Sequence, residues 1–133
     1  MSTNLNFQNM RILITESDAT RQRQLRTILT SLGHKSADIE TASDSKSALS
    51  MIRKKRYDVA FFCHEGSSFN GLELIRELRG GTSKSLPIVL FSPNMSREIL
   101  LEANQVGANG FLSYPFSVSD VEDALTTALR RAL

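Results

Sequence analysis

Tyr57-Asp58-Val59-Ala60-Phe61-Phe62-Cys63 is a short, nearly unbroken apolar run. The basic cluster Arg53-Lys54-Lys55-Arg56 precedes it, and a loop rich in glycine and serine, residues 64–71, follows it. Such a run, lacking alternation, predicts a strand buried on both faces, hence a central strand of a parallel sheet. In open α/β sheets, ligands and chemistry gather just beyond the carboxyl ends of these strands. The residue standing there is Cys63, the only cysteine in the chain.

Toward the amino terminus, Arg11-Ile12-Leu13-Ile14-Thr15 predicts a first strand from its β-branched content. Glu16, Ser17 and Asp18 follow at its carboxyl end. Asp18 suits the N-cap of a helix, Leu25, Ile28, Leu29 and Leu32 recur at helical spacing, and Gly33 suits the C-terminal cap. Residues 37–42 predict a second, more polar strand, nearer a sheet edge. Asp44 or Ser45 opens a second helix with Ala48, Leu49 and Ile52 facing inward. Its basic end complements the helix dipole. No aromatic side chains interleave with those charges, so a solvated helix end is a better reading than a nucleic-acid patch.

Toward the carboxyl terminus, Leu72, Ile75 and Leu78 mark a third helix, and residues 80–85 a flexible connection. Pro87 leads into Ile88-Val89-Leu90-Phe91, which ends at Ser92. Ile99, Leu100, Ala103 and Val106 mark a fourth helix, closed by Gly107. Gly110-Phe111-Leu112-Ser113 is a last short strand before Tyr114-Pro115-Phe116. Ser117 and Asp120 have capping-box spacing, and Val118, Val121, Leu125, Ala128 and Ala132 form one apolar stripe. Strand and helix alternate about five times, the pattern of an α/β, doubly wound parallel sheet covered on both sides. Its crossovers are expected to be right-handed.

The chain's 133 residues make one domain. A domain of this size buries roughly two-thirds of its unfolded surface and needs no disulfide or metal to hold it. A single cysteine forms no internal disulfide, which fits a reducing, cytoplasmic setting. No apolar run approaches the ~20 residues of a membrane span. Residues 1–9 are polar, lack the pattern of a signal peptide and are expected to be a disordered tail before a domain at 10–133. A net charge of +2 is too small to argue for nucleic acid.

In such a sheet the carboxyl ends of the first, third, fourth and fifth strands converge, which gathers Glu16, Ser17, Cys63, Ser92 and Tyr114. The chain resembles a response-regulator receiver domain of the chemotaxis-regulator type, the phosphoaccepting module of two-component signalling. The carriers are the stretch Ile12-Leu13-Ile14-Thr15-Glu16-Ser17-Asp18, Asn70-Gly71-Leu72-Glu73-Leu74-Ile75, Leu86-Pro87-Ile88-Val89, Gly107-Ala108 with Gly110-Phe111, and Pro115-Phe116. The resemblance implies a flavodoxin-like fold with five strands in the order 2-1-3-4-5. Counting back from Asn70-Gly71, the family's phosphoaccepting aspartate falls on Cys63. Its paired acids fall on Glu16 and Ser17, so one is kept. Its hydroxyl is kept as Ser92. Its lysine falls on Tyr114, and its switch aromatic on Phe111.

Phosphotransfer to a carboxylate relies on Mg²⁺ and a cationic side chain to neutralise the transferring group. Magnesium wants hard oxygen ligands, and Glu16 with the Ser17 hydroxyl makes a poor site. Asp18 is a possible third oxygen ligand, though the helix-cap reading is stronger. The expectation is a non-catalytic pseudo-receiver with no phosphorylation and no cofactor, its magnesium binding weak or absent. It would act through protein contacts. The resemblance implies a partner face on the fourth helix, fifth strand and fifth helix. Arg97, Glu98, Glu102, Phe111, Asp123 and Arg130 fall there, with charges of both signs suited to pairing. The partner would be a histidine kinase, an output domain or a second copy, with neither nucleic acid nor membrane involved.

Rival readings use the same residues. An atypical receiver could answer to oxidation of Cys63 or to a small ligand in the vacated pocket. A reactive thiol needs nearby cations, and none of Glu16, Ser17, Ser92 and Tyr114 is one. His64, next along the strand, would point the other way, so a small apolar filler is the better reading of Cys63. Cys63, His64, Glu65 and Glu16 are metal-ligand types without the spaced pairs of structural zinc sites, so no metal is expected. No glycine-rich phosphate loop follows the first strand. No Ser–His–Asp set is apparent, and His34 is expected in a surface connection. The isomer of the Tyr114–Pro115 bond stays open.

Overall fold

The computed structural model describes residues 9–65, 70–81 and 83–131. The disordered tail expected at the amino terminus falls, but for Asn9, on residues 1–8, outside the described residues, as does Ala132 of the last apolar stripe. Five strands alternate with five α-helices: β1 Ile12–Thr15, α1 Ala19–Ser31, β2 Ile39–Ala42, α2 Ser45–Lys54, β3 Val59–Cys63, α3 Gly71–Gly80, β4 Ile88–Ser92, α4 Arg97–Val106, β5 Gly110–Ser113 and α5 Val118–Arg131. The strands form one parallel sheet in the order β2-β1-β3-β4-β5, which is the expected architecture.

Every residue of β3 is fully buried, because helices cover both faces of the sheet. Val59, Phe61 and Cys63 join Ile12, Ile14, Val89 and Phe91 in a core layer with Leu25 and Leu29 of α1 and Val121, Leu125 and Ala128 of α5. Ala60 and Phe62 join Leu13, Ile88 and Leu90 in a second layer with Ala48 of α2, Leu72, Ile75 and Leu78 of α3, and Ala103 of α4. Each large side chain buried in these layers stabilises the fold by roughly 1.5–3 kcal/mol.

The local signals hold at most helix ends. Asp18, Asp44, Asn70 and Ser96 cap α1 to α4 by accepting from the backbone N–H three residues on. Ser117 and Asp120 form a reciprocal capping box, with N–H to side-chain oxygen distances of 3.0 and 3.1 Å. The Tyr114–Pro115 bond is cis.

Four expectations need correction. The central strand begins at Val59, because Asp58 turns back to Arg11: its carboxylate accepts from the Arg11 N–H at 2.8 Å, and its own N–H donates to the Arg11 carbonyl at 2.9 Å. The second strand begins at Ile39, because Ser36–Asp38 forms a short 3₁₀ turn. His34 lies in a connection but is buried. Its N–H donates to the Leu29 carbonyl while Gly33, at φ 105°, donates to Thr30, a Schellman motif that folds the residue after the glycine back onto the helix. Leu100 and Val118, read with the apolar stripes, stay exposed at 39% and 44%.

Gly71 sets the distance between the functional end of β3 and α3. A Cβ there would lie 2.4 Å from the Cys63 carbonyl oxygen and 2.9 Å from Leu90 Cδ1. The nearer atom is backbone and cannot yield as a flexible side chain would. Gly71→Ala is expected to destabilise the domain by about 1–3 kcal/mol, the usual range for overpacking. Urea unfolding of the two proteins measures this; an unchanged midpoint would sink the close-approach account.

Candidate functional site

Glu16 extends β1 by one residue, since its N–H donates to the Ala42 carbonyl of β2 at 2.9 Å. Its side chain has no exposure to solvent. A carboxylate held there needs a charged partner and hydrogen bonds. Arg21 supplies them. Its Nε donates to Glu16 Oε1 at 2.7 Å and its Nη2 to Oε2 at 3.2 Å, while the Asp18 N–H donates to Oε2 at 2.9 Å. The same Nη2 bonds to Glu65, in the segment after β3. The guanidinium lies over the Tyr114 ring, 5.8 Å from its centroid, a cation–π geometry. The Tyr114 hydroxyl in turn donates to Gln24 of α1.

Cys63 completes the cluster. Its Sγ is 3.9 Å from Glu65 Oε1. The ligand atoms of Glu16, Cys63 and Glu65 all lie within 4.8 Å of one another. Burial pushes the Cys63 thiol well above its usual pKa, the Glu16 and Glu65 carboxylates push the same way, and Arg21 opposes them. The Arg21 guanidinium is held charged chiefly by its bond to Glu16.

Of the residues the sequence assigned to this pocket, the structure brings together Glu16, Cys63 and Tyr114. Ser17 is exposed. Ser92 ends β4 with its hydroxyl accepting from the Asn94 N–H at 3.1 Å. Neither side chain is hydrogen-bonded to the cluster among the described residues, though the Ser92 carbonyl accepts from the Tyr114 N–H at 2.9 Å. Asp18 is a helix cap, its carboxylate accepting from the Arg21 N–H at 2.9 Å. That bond, with a smaller contribution from the Arg21 charge, holds its carboxyl below the usual range. His64 is buried outside the cluster, and burial lowers its pKa.

The expectation of a pocket without a cation is overturned, because Arg21 stands inside it. A signal for this was present. Arg21 sits in the first turn of α1, a turn with no acidic residue, where positive charge opposes the helix dipole. A cation placed against the dipole invites a search for a buried acid, and Glu16 lies five residues back. Glu65 could be read only as a ligand type, since nothing in the loop sequence fixes where it points.

On the expected partner face, Arg97, Glu98 and Glu102 are exposed on α4, and Asp123 and Arg130 on α5. Phe111 of β5 is half-buried and packs against the second core layer. Glu102 pairs with Arg76 of α3 at 3.4 Å. A groove of about 570 Å³ runs between β5 and α5, lined among others by Phe111, Asp123, Ala124 and Thr127.

A doubly wound sheet with an acid after β1, a buried residue closing β3, a hydroxyl closing β4 and a proline turn after β5 describes a signalling receiver. Residues 12–126 match the response regulator receiver domain, and the chain belongs to that family. It is 28% identical over 125 residues to chemotaxis protein CheY-3 of Vibrio cholerae, covering 93% of this chain and 95% of that one. Chemotaxis protein CheY of Pseudomonas aeruginosa is 26% identical over 123 residues, covering 92% and 98%. A solved structure of a sensor protein from Polaromonas superposes with a TM-score of 0.82 at 26% identity, over 94% of this chain and 99% of that one. No helix among the described residues is long and apolar enough to cross a membrane.

Magnesium, the ion this family implies, does not fit the donors present. The Glu16 carboxylate is engaged by Arg21 through both oxygens, Glu65 is bonded to the same guanidinium, and the third donor is a thiol. Magnesium requires an octahedron of hard oxygens.

Cys63 is fully buried and its thiol is pushed upward, so it stays protonated at neutral pH. Alkylation of the folded protein by iodoacetamide is expected to be at least about tenfold slower than of free cysteine from about pH 6 to about pH 9. A fast reaction with a midpoint well below about pH 8 would overturn this reading of the site.

Proposed function

We propose that this receiver domain signals without being phosphorylated and acts by protein contact. One observation carries the reading. The residue closing the central strand is a buried thiol, and both carboxylates beside it, Glu16 and Glu65, are bonded to Arg21. A thiol forms no acyl phosphate. A carboxylate paired to a guanidinium is a poor nucleophile, and the position to which the family resemblance assigns a lysine is here Tyr114. The domain then has no catalytic residue and needs no Mg²⁺. Oxidation of Cys63 as an input draws no support from a thiol that is buried and held protonated.

The test is incubation with acetyl phosphate and Mg²⁺, read by intact mass. No adduct of phosphoryl mass is expected, and a stable one on any carboxylate refutes the reading.

The contact surface we assign is the face of α4, β5 and α5, where Arg97, Glu98, Glu102, Phe111, Asp123 and Arg130 lie. Its partner would be a histidine kinase, an output domain or a second copy of the chain. Rim charges govern encounter more than residence, whereas a half-buried aromatic anchors. Phe111→Ala is therefore expected to weaken capture of a partner from cells of the source organism by at least about tenfold. Arg97→Ala and Arg130→Ala should act mainly through salt dependence. Unchanged capture by all three variants would place the interface elsewhere.

A further inference from the structure

We infer that Arg21 is the resident cation of this pocket, a tethered guanidinium held where Glu16, Cys63 and Glu65 would otherwise form a site for a thiophilic divalent metal. The inference rests on the reading that the pocket has lost phosphoryl chemistry, and adds how its charge is kept constant. Three observations carry it. The cluster already binds a cation, through two hydrogen bonds to Glu16 and one to Glu65. The Arg21 side chain is only 14% exposed and its guanidinium lies over the Tyr114 ring while bonded to both acids. From α1 it donates to acceptors at the end of β1 and in the segment after β3, the elements a bound ion would bridge.

A side chain fixed to its own helix competes with free ions at a high effective concentration. Ordinary divalent cations should therefore leave the pocket unchanged. Without the guanidinium, the donors are two carboxylates and a thiol within 4.8 Å of one another. Such a mixed set favours zinc or cadmium over magnesium. Binding would break the Cys63 S–H bond, form a sulfur–metal bond and release one proton to the buffer, with no change of oxidation state.

The test uses the full chain, Cd²⁺ as probe and the thiolate-to-metal ultraviolet band as readout. Arg21→Gln keeps much of the side chain's shape and removes its charge. It is expected to bind Cd²⁺ at least about tenfold more tightly than the wild-type chain, the scale of one unit charge withdrawn from beside the ion. Arg21→Lys, still cationic, should stay close to wild type, and Cys63→Ser in the Arg21→Gln chain should abolish the band. Equal binding by wild type and Arg21→Gln, or none by a folded Arg21→Gln, overturns the inference. The wild-type chain supplies a readout that does not depend on a variant folding. The Arg21 Nε–H proton resonance should be slow to exchange and unmoved by millimolar Mg²⁺, and a shift or loss on adding Mg²⁺ equally overturns it. An acyl-phosphate adduct would instead sink the reading beneath, so the two failures are distinct.

Discussion

A carboxylate without access to water is the constraint from which the functional end of this domain follows. Glu16 is placed there by β1, and leaving a buried charge unmatched costs roughly 3–5 kcal/mol. Arg21 answers it from the first turn of α1, within five residues, so the pairing is made inside one strand–turn–helix unit. The same Nη2 that bonds Glu16 also donates to Glu65, which ties the segment after the central strand to the first helix. Tyr114 lies beneath the same group and reaches α1 through Gln24. One side chain thus joins three of the loops that converge at the carboxyl edge of the sheet.

This arrangement separates fold from chemistry. The two core layers are aliphatic and aromatic side chains on both faces of β3 and β4, and the helices are capped where the chain must turn. Of the residues gathered in the pocket, Cys63 alone is also a member of those layers. A thiol occupies that position at no cost in polar satisfaction. Cysteine behaves there as a small apolar group, in the same core cluster as Phe61, Phe91 and Val121. The same scaffold can therefore carry either an acidic or a self-neutralised pocket, in keeping with the rule that function resides in sites grafted onto folds.

Most of the architecture was legible because it is written locally. The runs at 59–63 and 88–91 have a single reading once helices flank them, and Asp18, Gly33, Gly107 and Ser117 each announce a helix end whose geometry only a few residues satisfy. The errors have more than one source. Asp58 leaves its strand because of Arg11, 47 residues away. His34 is drawn inward by the cap that follows Gly33, and Leu100 and Val118 follow helical spacing yet face outward at the margins of their stripes. The pocket was half legible. Glu16 and Cys63 were found from strand ends. Arg21 was not grouped with them, and Glu65 entered only as a metal-ligand type, since a contact across 44 residues leaves no periodicity in the sequence.

Arg79 carries a different consequence. Its guanidinium, from the last turn of α3, donates to the Gly107 carbonyl at 3.1 and 2.8 Å, to the Ser83 carbonyl at 2.9 Å and to Asn109 Oδ1 at 2.8 Å, and Asn109 Oδ1 also accepts from the Ile88 N–H. The tail of one helix, the corner after the next and the entry to a central strand are pinned by a single planar fork. Displacement of α4 therefore has a fulcrum. Sliding α4 along the sheet would break several of these bonds at once, whereas a tilt about its Gly107 end would keep them.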